Sequence, residues 1–205
     1  MSIKYTKINH IGLVGDDYGN DVPYIIEPQK FGDNRGYFQE VFSFVDFGFN
    51  TQIKFNVKQL NESKSSKFVV RGLHMQKYPF EQAKIVRCTN GSIIDVFMDV
   101  RDNSKSYGTL YTVLLSADNN KQVYIPKGFV HGFISLEDDT VINYLVNENY
   151  DKKSEDGYLF NEKLVKKILD LYDKYHFLTI DKFVFSEKDK QLSEFDKPIK
   201  IVKID

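Results

Sequence analysis

The sequence predicts an all-β chain of jelly-roll type, an antiparallel sandwich or barrel, with a few helices at its C-terminal periphery. Short runs rich in β-branched and aromatic residues crowd the stretch from about residue 23 to about residue 148. Turn residues separate those runs, and the hydrophobic period changes from two to helical spacing only after residue 160.

In chain order, residues 55–61 alternate apolar with polar at period two, and residues 68–70, 84–87 and 92–98 are further β-rich runs. Runs 109–115, 122–125 and 140–146 continue the series. Asn90-Gly91, Tyr107-Gly108, Asp118-Asn119-Asn120 and Pro126-Lys127-Gly128 supply the turns between them. Beyond them, apolar residues at 164, 165, 168, 169, 171, 172 and 175 predict an amphipathic helix over 161–175, with Asn161 as its N-cap, packed outside the β-shell. No repeat or linker interrupts the chain. The reading is one domain over 1–205: an N-terminal lead 1–23, a β-core of about 24–150 and a helical C-terminal part of about 151–205.

Composition narrows the function. Against 29 acidic residues stand 28 Lys and Arg, a formal charge of −1, so nothing points to nucleic acid or a membrane surface as partner. Any bound anion has to be held by locally placed cations. A single cysteine, Cys88, excludes a disulfide framework and a cysteine-rich zinc site, and suits a reducing cytoplasm. No apolar run approaches the ~20 residues of a membrane span. The N-terminal residues carry no signal-peptide apolar region, so export is not expected.

The chemistry gathers around Arg71-Gly72-Leu73-His74, which Lys84, His131 and Tyr144 follow at strand-like intervals. A base, a cation, a second imidazole and a phenol in one β-rich shell suit proton removal beside a carbonyl and its return on the opposite face. A lone histidine in a strand is most often a hydrogen-bonded core residue. His74 has company that argues otherwise: Gln59, Asn61 and Lys84 come from neighbouring runs, and such groups are expensive to bury without a ligand. Arg71 lies three residues before His74, so a straight strand would face them apart; a bend at Gly72 would bring them together. His131 sits in Pro126-Lys127-Gly128-Phe129-Val130-His131-Gly132-Phe133, which matches the second metal motif of cupins. Metal-binding cupins also need a His-x-His pair and a glutamate on earlier strands. Leu73-His74-Met75-Gln76 offers one imidazole, too few for a first coordination sphere, so no metal is expected. A catalytic histidine gains from a carboxylate on its other nitrogen, but residue pattern alone does not select that carboxylate. Taken singly, Arg35 and Arg71 read equally well as surface ion-pair partners, Tyr144 and Tyr150 as strand aromatics, and Phe38 as a core residue.

Six motifs in order change those odds. They are Asp33-Asn34-Arg35-Gly36-Tyr37-Phe38-Gln39-Glu40, Gln59-Leu60-Asn61-Glu62-Ser63-Lys64-Ser65, Val70-Arg71-Gly72-Leu73-His74-Met75-Gln76, Gln82-Ala83-Lys84-Ile85-Val86, the Tyr124–Phe133 stretch containing His131, and Ser186-Glu187-Lys188-Asp189. Together they resemble the cofactor-independent 3,5-epimerases of nucleotide-activated 4-keto-6-deoxy sugars, a family of cupin-type jelly rolls. The resemblance implies His74 as general base, Asp189 as the carboxylate that orients it, Tyr144 as the acid on the opposite face, Lys84 as the cation beside the sugar O4, and His131 as an assisting pocket residue. It also implies Arg71 and Arg35 as diphosphate and sugar contacts, Gln59, Asn61 and Glu40 as polar contacts, and Phe38 and Tyr150 as aromatic walls, Tyr150 stacking on the base. No cofactor is implied. A homodimer is, with exchanged N-terminal strands, so that Arg35, Phe38 and Glu40 serve the partner's pocket. Three departures stand out: no tryptophan anywhere, the Lys-rich stretch 161–175, and the long lead 1–23. They leave the nucleotide open between dTDP, GDP and CDP, and the sugar open to heptoses. Epimerisation at only C3 or only C5, a nucleotide-sugar 3,4-ketoisomerase and a non-catalytic sugar-binding cupin remain the alternatives.

Overall fold

Residues 3–8, 21–102 and 104–205 are described in a computed structural model of the chain. The first half contributes β1 (Ile3–Lys7), β2 (Tyr24–Pro28), β3 (Lys30–Asp33), β4 (Gly36–Gln39), α1 (Phe44–Thr51), β5 (Gln59–Ser65), β6 (Val69–Gln76), β7 (Lys84–Asn90) and β8 (Ser92–Asp99). The second half adds β9 (Thr109–Ser116), β10 (Gln122–Ile125), β11 (Phe129–Ser135), β12 (Thr140–Val146), β13 (Glu155–Gly157), α2 (Glu162–Leu169), β14 (Val184–Phe185) and β15 (Lys200–Ile204). One sheet runs β1-β2-β10-β7-β12-β5, antiparallel throughout. The other runs β13-β6-β11-β8-β9-β15, with β14 also beside β6; among the described residues only β14 and β15 pair parallel. Strands β3 and β4 form a hairpin outside both sheets. This is the jelly-roll sandwich that the short strands predict.

Side-chain alternation sorts the strands into layers. On β8, Ile93 and Phe97 point between the sheets, while Ile94, Val96 and Met98 point outward under α2. Both faces are covered, and so β8 reads as a nearly unbroken apolar run. Val86, Cys88, Val123, Phe133 and Ile142 complete the layer between the sheets. On the outside of the first sheet, Ile26, Ile85 and Tyr124 pack against Phe47 and Phe55, which α1 and the segment after it supply. Helix α2 presses Leu164, Val165, Ile168 and Leu169 onto the outside of the second sheet. Burying side chains of that size is worth ~1.5–3 kcal/mol each.

Four boundaries differ from expectation, each for a physical reason. Helix α2 has its Asn161 cap, whose Oδ1 accepts the Leu164 N–H at 2.9 Å, but it ends at Leu169 rather than near residue 175. Beyond it the chain continues in single turns, Tyr172 N–H to Leu169 O and Leu178 N–H to Tyr175 O, which still bury Tyr172 and Leu178. A helical period is thus kept without a helix. The C-terminal part is not simply helical, because β13, β14 and β15 add strands to the second sheet. The strand expected over 55–61 begins only at Gln59, where pairing with Val146 starts; Phe55 instead packs against Phe47 and Tyr124. Helix α1 was not expected, since it lies within the stretch from about residue 23 that reads as β-rich. Its signal is Ser43, whose hydroxyl accepts the Asp46 N–H at 3.2 Å as an N-cap. Within the lead 1–23, Ile3–Lys7 pairs with β2, while residues 1–2 and 9–20 lie outside the described residues.

Candidate active site

The apolar filling between the sheets stops short of the edge where β5 faces β6. There a cavity of about 580 Å³ replaces it, within the usual range for small-molecule sites. Alternation explains what lines it. Lys84 shares the inward face of β7 with Val86 and Cys88, Tyr144 that of β12 with Ile142, and His131 that of β11 with Phe129 and Phe133. On β5, Asn61 and Ser63 face in, whereas Lys64 is exposed and Glu62, also exposed, reaches the cavity's margin.

Strand β6 needs an irregularity to contribute twice. His131 pairs with His74 and Phe133 with Arg71, so Gly132 alone faces both Gly72 and Leu73. That bulge reverses the alternation once and turns Arg71 and His74 to the same side, as the bend expected at Gly72 requires. Gly72 has φ +102°, and a Cβ there would lie 2.6 Å from the His131 carbonyl oxygen. Only glycine fits.

His74 and Asp189 meet from distant parts of the chain, Nε2 to Oδ1 at 2.8 Å. The Gly72 N–H also points at Asp189, 3.3 Å from Oδ2. Burial pushes the Asp189 carboxyl up, but the hydrogen bond and charge of His74, helped by the Gly72 N–H, outweigh it and hold the group below the usual carboxylate range. An ionised carboxylate only accepts, so Nε2 carries the proton and Nδ1 keeps the lone pair of a base.

Across the cavity, on the other sheet, stand Lys84 and Tyr144. Burial lowers the Lys84 ammonium to about 8, against the opposing pull of Asp95 and Glu155, and among the described residues it makes no side-chain hydrogen bond or ion pair. Burial raises the Tyr144 phenol to about 12. Its hydroxyl lies 3.0 Å from Ser63 Oγ, and its ring meets that of His131 edge-on at 6.1 Å. Arg71 donates from Nε to Ser65 Oγ at 3.1 Å and from Nη2 to the Lys64 carbonyl at 3.3 Å, which holds the guanidinium at the cavity wall. Such a set can take a proton on one face, return one on the other and stabilise the negative charge formed between.

The cavity therefore joins His74, Lys84, His131, Tyr144, Asp189, Arg71 and Asn61. It does not include Gln59, Tyr150, Arg35, Phe38 or Glu40. Gln59 stands just behind, donating to Asn61 Oδ1 at 2.6 Å and accepting the Tyr150 N–H at 3.0 Å. Tyr150 is 54% exposed and donates its hydroxyl to Glu155, which also pairs with the cavity-lining Lys188 at 2.6 Å. Arg35 and Phe38 lie on the exposed β3–β4 hairpin, with Glu40 just after it; Arg35 pairs with its neighbour Asp33.

The sequence reading missed Asp95. It is fully buried, and its Oδ1 lies 2.7 Å from His131 Nε2 while Oδ2 has no partner among the described residues. The signal was available: a carboxylate inside the run Ile93-Ile94-Asp95-Val96-Phe97 is too costly to bury idly. Gln82, Ser63 and Lys188 also line the cavity, beside apolar Val69, Val70, Val184 and Phe185. Among the described residues, no group of three or more His, Cys, Asp or Glu side chains is arranged to hold a metal ion.

Known proteins resemble this chain in sequence and in fold. The family model of dTDP-4-dehydrorhamnose 3,5-epimerase matches residues 21–197. The enzyme of that name from Escherichia coli K12 is 44% identical over 141 residues, 69% of this chain and 76% of the relative. The crystal structure of dTDP-4-dehydrorhamnose 3,5-epimerase from Elizabethkingia anophelis superposes with a TM-score of 0.78 at 37% identity, covering 94% of this chain and 96% of that one. A dTDP-6-deoxy-D-glucose-3,5-epimerase from Legionella pneumophila, solved with dTDP-4-keto-L-rhamnose, gives a TM-score of 0.76 at 29% identity over 94% and 93% of the two chains. The chain belongs to the dTDP-4-dehydrorhamnose 3,5-epimerase family.

Proposed function

We propose that this protein inverts both carbons flanking the ketone of a nucleoside-diphosphate 4-keto-6-deoxy sugar, with dTDP-4-keto-6-deoxyglucose as the substrate type. One observation carries the reading: the His74–Asp189 pair and Tyr144 project from opposite sheets into one cavity, with Lys84 beside them. His74 takes the proton from the carbon next to the ketone, and Asp189 stabilises the resulting imidazolium. Lys84 sits beside the ketone oxygen, where enolate charge collects; in a partly dry site such a cation supplies much of the stabilisation. Tyr144 returns a proton from the other side, and the configuration inverts. His131, held by Asp95, assists from the sheet that carries His74. Arg71 takes the diphosphate, since its planar fork matches paired phosphate oxygens. Asn61 and Gln59 give polar contacts, and Tyr150 at the rim stacks on the base.

The active form is a homodimer in a reducing cytoplasm. The edge of β1, unpaired among the described residues, and the hairpin aromatics Phe31, Tyr37 and Phe38, 41–62% exposed, support an exchange of N-terminal strands. Arg35, Phe38 and Glu40 then complete the partner's pocket rather than their own.

Incubation with dTDP-4-keto-6-deoxyglucose in D₂O, followed by NMR, tests the reading. Deuterium is expected at C3 and C5, and His74→Ala is expected to abolish it while nucleotide binding persists. Absence of exchange in the wild-type protein, with 4-keto sugars on dTDP, GDP and CDP alike, overturns the proposal.

A further inference from the structure

The inward face of β5 is polar along its whole length, and each group on it holds another. Gln59 bonds Asn61, Ser63 bonds Tyr144, and Ser65 accepts from Arg71. A strand face of this kind contributes little to an apolar core, so its role lies in what it holds. Ser63 lies opposite Ile142 in the β5–β12 ladder, which makes Tyr144 its diagonal neighbour, two residues along on the same face. Among the described residues, Ser63 Oγ is the one hydrogen-bonding partner of the Tyr144 hydroxyl, at 3.0 Å.

We propose that Ser63 is the positioning residue for Tyr144: it fixes the direction of the phenolic hydroxyl in the cavity and donates to the phenolate left when the proton has been delivered. The idea rests on the epimerase reading above and deepens it. In the step concerned, the Tyr144 O–H bond breaks and a new C–H bond forms from the enolate double bond. The ketone C=O is restored, and the negative charge passes to the phenol oxygen. Afterwards the phenolate regains a proton from water, and the His74 imidazolium gives its proton to water, so the balance closes.

A phenolate buried among apolar walls is costly, and burial accordingly lifts the Tyr144 phenol while the Ser63 hydrogen bond opposes that lift. The other charged or titratable groups that line its cavity or act on it are Glu62 on β5, Lys84 and Cys88 on β7, Arg71 and His74 on β6, His131 on β11, Asp95 on β8, and Lys188 and Asp189 after β14. Among the described residues, none of these is hydrogen-bonded to the phenol. A serine hydroxyl serves both stages by donating to the Tyr144 oxygen: before the transfer this leaves the single phenolic proton free to point at the enolate carbon, and after it the same hydrogen bond stabilises the phenolate.

Two rates measured in D₂O on the full-length protein separate positioning from general damage. His74 can pick up deuterium from solvent and return it to the face it came from, giving exchange without inversion. Inversion needs Tyr144. Ser63→Ala is therefore expected to lower the inversion kcat by about ten- to a hundredfold with KM little changed, the size of losing a hydrogen bond to a charged group. Exchange is expected to fall much less, so the exchange-to-inversion ratio rises by the same order. Ser63→Thr, which keeps the hydroxyl, restores most of the rate, and Ser65→Ala raises KM instead, because it loosens Arg71. If Ser63→Ala lowers exchange and inversion together, or leaves both at wild-type values, Ser63 does not position Tyr144. A wild-type protein that shows no exchange at all refutes the epimerase reading itself, a result distinct from either of these.

Discussion

Burial holds the Lys84 ammonium at about 8, where a solvated lysine stays charged up to 10.5. The folded chain thus binds this proton less firmly than the unfolded chain does. Between pH ~8 and ~10.5 the unfolded state carries the extra proton, so stability attributable to this residue rises with pH over that window. At neutral pH the buried charge is a cost to the fold. Lys84→Met is expected to raise the melting temperature at pH 7 by a few degrees while lowering kcat by ~10²–10³, the usual loss for an oxyanion stabiliser. The activity of the unaltered protein follows the opposite sign: the cation is lost as pH rises through about 8, and kcat/KM falls with it. A pH–rate profile checks this. An alkaline limb appearing only near the Tyr144 phenol, at about 12, would show that Lys84 does not carry the enolate charge.

Among the elements, β6 bears most of the geometry. Its bulge at Gly72 and Leu73 turns Arg71 and His74 to the same side, and the Gly72 N–H at that bend also meets Asp189. Gly72→Ala would drive a methyl within 2.6 Å of the His131 carbonyl and 2.8 Å of Gly132 Cα, at a φ of +102° that L-residues avoid. Backbone, not a flexible side chain, is what it meets. A loss of roughly 3 kcal/mol in stability is expected, with activity falling further than the unfolded fraction explains, because His74 and Arg71 lose their shared orientation. Denaturant unfolding and kcat on the same sample separate the two effects. Retained activity at full stability would mean that the bulge is incidental.

For the molecule as a whole, the apolar filling and the cavity divide the sandwich between them. One side of the interlayer is packed by Ile93, Phe97, Val113 and Val123; the side where β5 meets β6 is left open for ligand. At the far edge β15 covers β9 over five paired residues, placing Ile201 on the outer core and Val202 and Ile204 against the inner one. Deleting residues 199–205 uncovers that edge. It is expected to lower the melting temperature by roughly 10 °C, from a loss of ~3–4 kcal/mol in apolar burial for a chain of this size. The folded fraction should keep its kcat, because no deleted residue lines the cavity. A proportional loss of kcat in the folded fraction would place the C-terminal strand in the catalytic architecture.

Period-two alternation, turn residues and six ordered motifs were local properties, and they sufficed for the β-sandwich, for most central strands and for the residues around His74, Lys84, His131 and Tyr144. Local pattern failed where a tertiary neighbour decided the outcome. Residues 44–51 lie inside the stretch that reads as β-rich, whereas an N-cap at Ser43 and the packing of Phe47 against Tyr124 make them helical. Apolar residues 171, 172 and 175 kept a helical period although α2 stops at Leu169, since successive turns bury the same side chains. Asp95 was passed over because a strand buried on both faces gives no period against which an inward carboxylate stands out. The carboxylate on His74 was legible only through the ordered motifs, which implied Asp189; residue pattern alone did not select it, because the two meet across 115 positions where β14 lies beside β6. Residue type and spacing determined which chemistry this protein carries. Only the closing of two sheets over one edge decided which groups meet, because contact between distant strands depends on register and on a bulge that the pattern of a single strand does not encode.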